Sequence, residues 1–191
     1  MRHITSMPGL LLIFLIVSGS IAAEDKTIDT QHSTITVHVG KGGVFSAAGH
    51  EHWVNAPIAS GSFNDSDSLR IEFRVETAKM ELKVDSKDDG EHQKEIQQTM
   101  QEKVLESSKY PQITFRSSSV DKAGDGEWTV RGNLTLHGVT KPIVVSVKRE
   151  ASVYSGRAVI KQTDFGIKPM SVGGVVKVKD ELGITFRIVS N

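Results

Sequence analysis

His50, Glu51 and His52 are the most closely spaced set of side chains in this sequence that could bind a metal. Side chains two apart on a β-strand point to the same face, so His50 and His52 could present two imidazoles to one metal ion. His38, His137 or Glu51 could complete such a site. Two histidines alone are a weak motif, however, and we favour the interpretation that they line a partly polar pocket mouth or bond to the backbone.

Other patterns that carry chemistry are absent from the sequence. It contains no Gly-x-Ser-x-Gly elbow, no His-Glu-x-x-His pair and no phosphate-binding glycine loop. Cysteine is absent, which excludes disulfides, thiol nucleophiles and cysteine-ligated zinc. Asp164 is predicted to be a turn residue. We therefore expect a non-enzymatic protein with no cofactor, and the alternative is a metal-binding protein or metal-dependent enzyme that uses His50 and His52.

The N-terminus has the pattern of an export signal. Arg2 precedes an apolar run at residues 10–17 that is too short to span a bilayer as a helix, and small residues end near Ala22. The sequence predicts a cleaved signal peptide at residues 1–23 and one mature domain at residues 24–191. After cleavage no integral membrane segment is expected, and the predicted location is periplasmic or secreted.

The stretch at residues 127–147 is predicted to be a hairpin around which the remaining sheet is organised. Apolar and polar residues alternate in its first arm, with Trp128, Val130, Leu134 and Leu136 on one face. Residues 137–140 supply the reversal, and Gly138 can adopt the positive φ that a tight turn needs. Similar alternation predicts strands in the segments 33–39, 46–54, 56–63, 69–76, 112–120, 152–162 and 176–188.

One segment has a different period. Ile96, Met100 and Val104 are spaced by four, which predicts an amphipathic helix over residues 91–105. About eight strands joined mostly by short turns, together with one helix, predict an all-β, antiparallel barrel, with an immunoglobulin-like sandwich as the alternative. In the alternating segment 176–188, Asp180 falls on the same face as the apolar residues. We predict a kink in the strand at this point and not a buried carboxylate.

Four stretches, in this order along the chain, resemble the YceI-like family of secreted or periplasmic, lipocalin-like β-barrels that bind polyisoprenoid lipids. They are IDTQHSTITVHV at 28–39, MQEKVLESSKYPQITFRSS at 100–118, GNLTLHGVTKPIVV at 132–145 and QTDFGI at 162–167. The resemblance implies that residues 24–191 form one such barrel, flanked or capped by the helix. It also implies a non-enzymatic binding or carrier protein for an isoprenoid, such as a quinone-type lipid, or for another long-chain amphiphilic lipid.

Inward aromatic residues either fill the interior of a small barrel or line a ligand cavity, and the resemblance favours the cavity. The predicted lipid-pocket residues are Phe45, His50, His52, Trp53, Phe63, Phe73, Phe115, Trp128, Leu136, Phe165 and Phe186. The expected partner is therefore a hydrophobic small molecule.

Other partners are constrained by the charge. The 23 basic and 23 acidic residues give no field that would attract nucleic acid. A homodimer is left open. A third hypothesis is a ligand-free interaction domain that uses the helix at 91–105 as its contact face.

Overall fold

A computed structural model describes residues 25–42, 51–64, 70–83, 90–172 and 176–190. The predicted signal peptide, Phe45 and His50 lie outside these residues. Within the described parts, twelve strands form one curled antiparallel sheet. The strands are β1 (Lys26–Thr27), β2 (Thr34–Gly42), β3 (His52–Asn55), β4 (Ile58–Asn64), β5 (Arg70–Glu76), β6 (Glu81–Leu82), β7 (Gln112–Gly124), β8 (Glu127–Leu136), β9 (Val139–Glu150), β10 (Val153–Lys161), β11 (Ser171–Val172) and β12 (Val176–Val189). Their order in the sheet is β1-β4-β5-β7-β8-β9-β10-β12-β2-β3-β6, with β11 beside β12.

The sheet curls far enough to bring distant strands together. The backbone N–H of Ile28 donates to the carbonyl oxygen of Gly61 on β4 (3.0 Å), and the N–H of Asp29 donates to that of Val189 on β12 (2.9 Å). The segment 28–29 thus bridges β4 and β12, which are six places apart in the order of the sheet. The predicted class, an all-β antiparallel barrel, is confirmed.

The predicted central hairpin is present as β8 and β9. Its turn has only two residues, His137 (φ 53°) and Gly138 (φ 75°), because β9 already begins at Val139. Positive φ at both positions is what a two-residue hairpin turn of type I′ requires. Val130 and Leu134 of β8 are buried, whereas their neighbours along the strand are largely exposed, so the predicted core face is confirmed.

The segment at 91–105 is helical, as predicted, but changes its geometry halfway. The α-helix α1 (Gly90–Thr99) continues into a π-helical turn (Met100–Val104), in which the N–H of Leu105 donates to the carbonyl oxygen of Met100 (2.8 Å). No helix in the described part of the chain has the length and apolar character needed to cross a membrane.

The predicted kink at Asp180 is confirmed. The register between β12 and β2 shifts between Val178 and Leu182, and Asp180 lies in this irregularity. Its carboxylate accepts hydrogen bonds from the Thr163 hydroxyl (2.7 Å) and from the Thr163 backbone N–H (2.9 Å). These hydrogen bonds hold the pKa of Asp180 below its ordinary value.

Candidate functional site

The curled sheet and α1 surround a cavity of about 670 Å³. Most of its lining is aliphatic or aromatic, as the alternation of the strands dictates, since every second side chain points inward. Several inward residues, such as Ile71, Phe73 and Ile184, are only half-buried although they face the interior. Their remaining exposure is to the cavity, so the interior is not filled by its own side chains.

Glycines fix where the aromatic rings of the wall lie. A Cβ atom on Gly132 would lie 2.4 Å from Cζ of Phe115, and one on Gly156 would lie 2.4 Å from Cζ of Phe186. Each ring therefore occupies the space that a side chain on the neighbouring strand would need. The absence of that side chain lets the ring lie flat against the wall, which leaves the centre of the barrel open.

Aromatic packing narrows one end of the cavity. Phe63 and Tyr154, both buried, make an edge-to-face contact with ring centroids 5.1 Å apart. Trp128 packs beside Tyr154 with centroids 6.4 Å apart, and the Arg149 guanidinium lies over the Tyr154 ring. We refer to Phe63, Trp128 and Tyr154 as the floor.

Polar lining residues gather at the opposite end, where α1 lies. Four of them come from the helical segment, namely His92, Glu95, Thr99 and Lys103, and His52 contributes from β3. Ile96, Met100 and Val104 of the same segment face the same cavity. We refer to this helix-covered end as the mouth. The cavity thus has an apolar body and a polar rim, which is the arrangement that an amphiphile requires.

The structure brings six of the predicted pocket residues to the cavity wall: His52, Phe63, Phe73, Phe115, Leu136 and Phe186. Their contact with a ligand remains a prediction. Phe45 and His50 are outside the described residues, so their placement is not judged.

Two predicted pocket residues, Trp53 and Phe165, lie away from the cavity wall. Trp53 is 44% exposed on the outer surface, because the inward positions of β3 are taken by its neighbours His52 and Val54. Trp128 packs at the floor beside the lining residue Tyr154, and its contact with a ligand remains a prediction. Phe165 is buried in a 3₁₀ turn (Gln162–Phe165) that packs against β9, β10 and β12.

Other lining residues were missed by the sequence prediction. Met80 and Leu82 belong to a short segment before α1 whose two-residue strand is too brief to show alternation. The spacing by four singled out only Ile96, Met100 and Val104 of the helical segment, although His92 and Glu95 are close enough to this apolar stripe to reach the mouth.

His38 and His137 do not line the cavity to which His52 and His92 contribute. His38 points outward, where its Nε2 lies 3.0 Å from a carboxylate oxygen of Glu51 and its ring stacks on Trp53. His137 is in the β8–β9 turn, 2.6 Å from a carboxylate oxygen of Glu106. Among the residues with described positions, no three His, Asp or Glu side chains are grouped to hold a metal ion. A metal site on His50 and His52 stays a hypothesis, because His50 lies outside the described residues.

Comparison with known proteins gives a consistent assignment. A UPF0312 protein of Shewanella sp. (strain W3-18-1) is 29% identical over 174 residues, covering 85% of this chain and 86% of the relative. A UPF0312 protein of Vibrio cholerae serotype O1 (strain M66-2) is 30% identical over 135 residues, covering 62% of this chain and 70% of the relative.

Solved structures share the fold. The crystal structure of Burkholderia cenocepacia BcnA has a TM-score of 0.58 at 21% identity, covering 86% of this chain and 99% of that one. A polyisoprenoid binding domain from Saccharophagus degradans, implicated in plant cell wall breakdown, has a TM-score of 0.60 at 14% identity, covering 86% and 97%. Residues 27–190 match the family model of the YceI-like domain, and the chain therefore belongs to the YceI-like family.

Proposed function

We propose that this protein is a non-enzymatic binding or carrier protein that holds an isoprenoid or another long-chain amphiphilic lipid in its barrel. The observation that carries the proposal is the apolar cavity of about 670 Å³ inside a YceI-like barrel. The Saccharophagus degradans protein with a similar fold, a polyisoprenoid binding domain, supports it. The lipid tail would lie along the apolar wall and the polar head at the mouth.

The size of the cavity is suited to one such lipid. At about 30 Å³ for each water-sized group, a volume of about 670 Å³ accommodates on the order of twenty non-hydrogen atoms. Burial of ten methylene groups supplies on the order of 8 kcal/mol before the cost of ordering the chain. Burial of the tail can thus supply a large part of the binding free energy without any charged anchor.

The proposed location follows from the N-terminal sequence. A carrier of this kind would act in the periplasm or outside the cell after removal of residues 1–23. Intact mass of the protein isolated from its own host measures where the mature chain begins. A chain that retains residues 1–23 would contradict this part of the proposal.

The direct experiment is native mass spectrometry of protein purified from its own host, followed by organic extraction of the bound species. We expect a single co-purifying lipid that is released by solvent, at about one molecule per chain. Elemental analysis of the same sample tests the alternative function based on His50 and His52. Stoichiometric zinc, copper or iron, with no extractable lipid, would replace the carrier proposal with the metal-binding one.

A further inference from the structure

Two glutamine side chains attach the helical segment to the barrel. The Gln97 carbonyl oxygen accepts from the backbone N–H of Leu82 (2.8 Å), while its amide nitrogen donates to the carbonyl oxygen of Met80 (2.8 Å). The Gln101 amide nitrogen donates to the carbonyl oxygens of Met80 (2.9 Å) and Thr77 (3.0 Å). Four hydrogen bonds thus join one face of the helical segment to the backbone of residues 77–82.

The residues that accept this attachment belong to the cavity wall. Met80 is buried, and both Met80 and Leu82 line the cavity. Thr77 is 1% exposed, and its hydroxyl donates to the carbonyl oxygen of Tyr110 (2.9 Å), which ties this segment to the start of β7. The glutamines therefore connect the helix to a fixed part of the barrel at the level of the cavity.

Hydrogen bonds add to the apolar packing that holds the helix in place. Its inward stripe of Ile96, Met100 and Val104 is only half-buried, because these residues face the cavity. When the glutamine contacts break, part-buried backbone groups of residues 77–82 lose their partners, which costs more than a solvent-exposed hydrogen bond would. We therefore expect these four contacts to stabilise the observed position of the helix.

The C-terminal end of the helical segment has a separate attachment. Glu106, which has a positive φ of 45°, places a carboxylate oxygen 2.6 Å from Nε2 of His137 in the β8–β9 turn. Leu105, just before it, is buried in the core. This end remains held when the glutamine contacts break, so it can serve as a pivot.

We propose that Gln97 and Gln101 are positioning residues that form a catch, which holds the helix closed over the cavity and whose breakage limits exchange of the bound lipid. The identity of the exchanged molecule rests on the proposed function, whereas the catch itself does not. The glutamines act through the helix and need not touch the ligand.

The test uses the double variant Gln97→Met with Gln101→Met, which keeps side-chain length and helix propensity but removes the amides. Gln98→Met is the matched control, because Gln98 is exposed on the same helix and bonds to Glu102 on the outer face. Release of cis-parinaric acid from the full mature protein is followed by fluorescence, and hydrogen exchange is measured over residues 90–105.

We expect release from the double variant to be roughly tenfold faster or more, with faster amide exchange in the helix, while Gln98→Met behaves like the parent. The catch proposal would be wrong if the double variant released the probe and exchanged its amide hydrogens at the same rates as the Gln98→Met control. If the parent protein binds no probe, the proposed lipid-binding function is wrong. The catch is then tested by amide hydrogen exchange alone. If the double variant does not fold, each single substitution is measured in the same way and should show a smaller change in the same direction.

Discussion

The two ends of the cavity are built by different interactions. The floor is made of Phe63, Trp128 and Tyr154, which are held by ring contacts between strands of the sheet. The mouth is covered by the helical segment, that is α1 and the π-helical turn, which is held to residues 77–82 by side-chain amides. Close packing in the sheet cannot loosen at one point without disturbing its neighbours, whereas a few hydrogen bonds can break and re-form locally. We therefore expect the floor and the wall to keep their structure, and we expect the ligand to enter and leave at the mouth.

The largest effect should come from removing an aromatic ring from the wall. Phe115→Ala is expected to lower the free energy of unfolding by about 3 to 5 kcal/mol, because Phe115 is buried and fills the space above Gly132. Affinity for a long-chain fluorescent lipid should fall as well. Chemical denaturation gives the stability, and binding is measured under conditions in which the variant is folded.

Trp53→Ala is the control for this substitution, since Trp53 is a large aromatic residue on the outer surface of the same barrel. It should leave lipid affinity unchanged. If Trp53→Ala weakened binding as much as Phe115→Ala, the binding site would not be inside the barrel.

A slightly smaller effect is expected from adding one methyl group to the wall. Gly156→Ala would place Cβ 2.1 Å from the backbone carbonyl oxygen of Ser146 and 2.4 Å from Cζ of Phe186, so the strand or the ring must move. We expect a loss of about 1 to 3 kcal/mol in the free energy of unfolding.

Gly183→Ala provides the comparison on the adjacent strand, because its Cβ would meet its nearest neighbour at an ordinary 3.7 Å. In thermal and urea denaturation, Gly156→Ala should be clearly less stable than Gly183→Ala. Equal stabilities would contradict the role given to glycine in placing the rings.

A smaller, pH-dependent effect is expected at Asp180. Hydrogen bonds from Thr163 lower the pKa of its carboxyl group in the folded protein below the ordinary value of an aspartate. A lowered pKa contributes stability that is fully present above the ordinary pKa of an aspartate and is lost as the pH falls through the pKa of the folded protein. The difference in thermal midpoint between the parent and Asp180→Asn should therefore be constant at neutral pH and shrink in acid. A difference that persists at the lowest pH at which both proteins fold would show that the carboxylate charge is not its source.

The smallest effect is expected from the histidines. His50→Ala combined with His52→Ala should leave the thermal midpoint insensitive to EDTA, as in the parent, because a closed structural zinc site needs four ligands. Lipid affinity should change only modestly, through the polarity of the mouth. Metal content by elemental analysis decides the matter, and a metal that is present in the parent and lost in the double variant would make the mouth a metal site.

The floor and the wall were also easier to predict from the sequence than the mouth. Alternation in β8 and β5 placed Val130 and Phe73 on the inner face, because a period of two is set by the backbone of any strand. The same rule, applied to His52, would have placed Trp53 outside. The prediction instead included Trp53 for its size and aromatic character, which say nothing about direction.

The mouth was hard to predict because its elements are short and its contacts are between side chains and backbone. The strands β6 and β11 have two residues each, which is too few for a pattern. The role of Gln97 depends on the position of Leu82, fifteen residues earlier, and no local rule connects them. The π-helical turn after α1 likewise has no signal in the spacing of Ile96, Met100 and Val104.

The attachment of the helix has a consequence for the behaviour of the protein in concentrated solution. The strand β6 ends the described sheet, and the outer edge of a terminal strand ordinarily offers unpaired backbone groups on which another chain can add a strand. Here the N–H of Leu82 and the carbonyl oxygen of Met80 are already occupied by glutamine amides. The helix thus shields a sheet edge from intermolecular pairing, and variants that detach it should aggregate more readily than their loss of stability alone would explain.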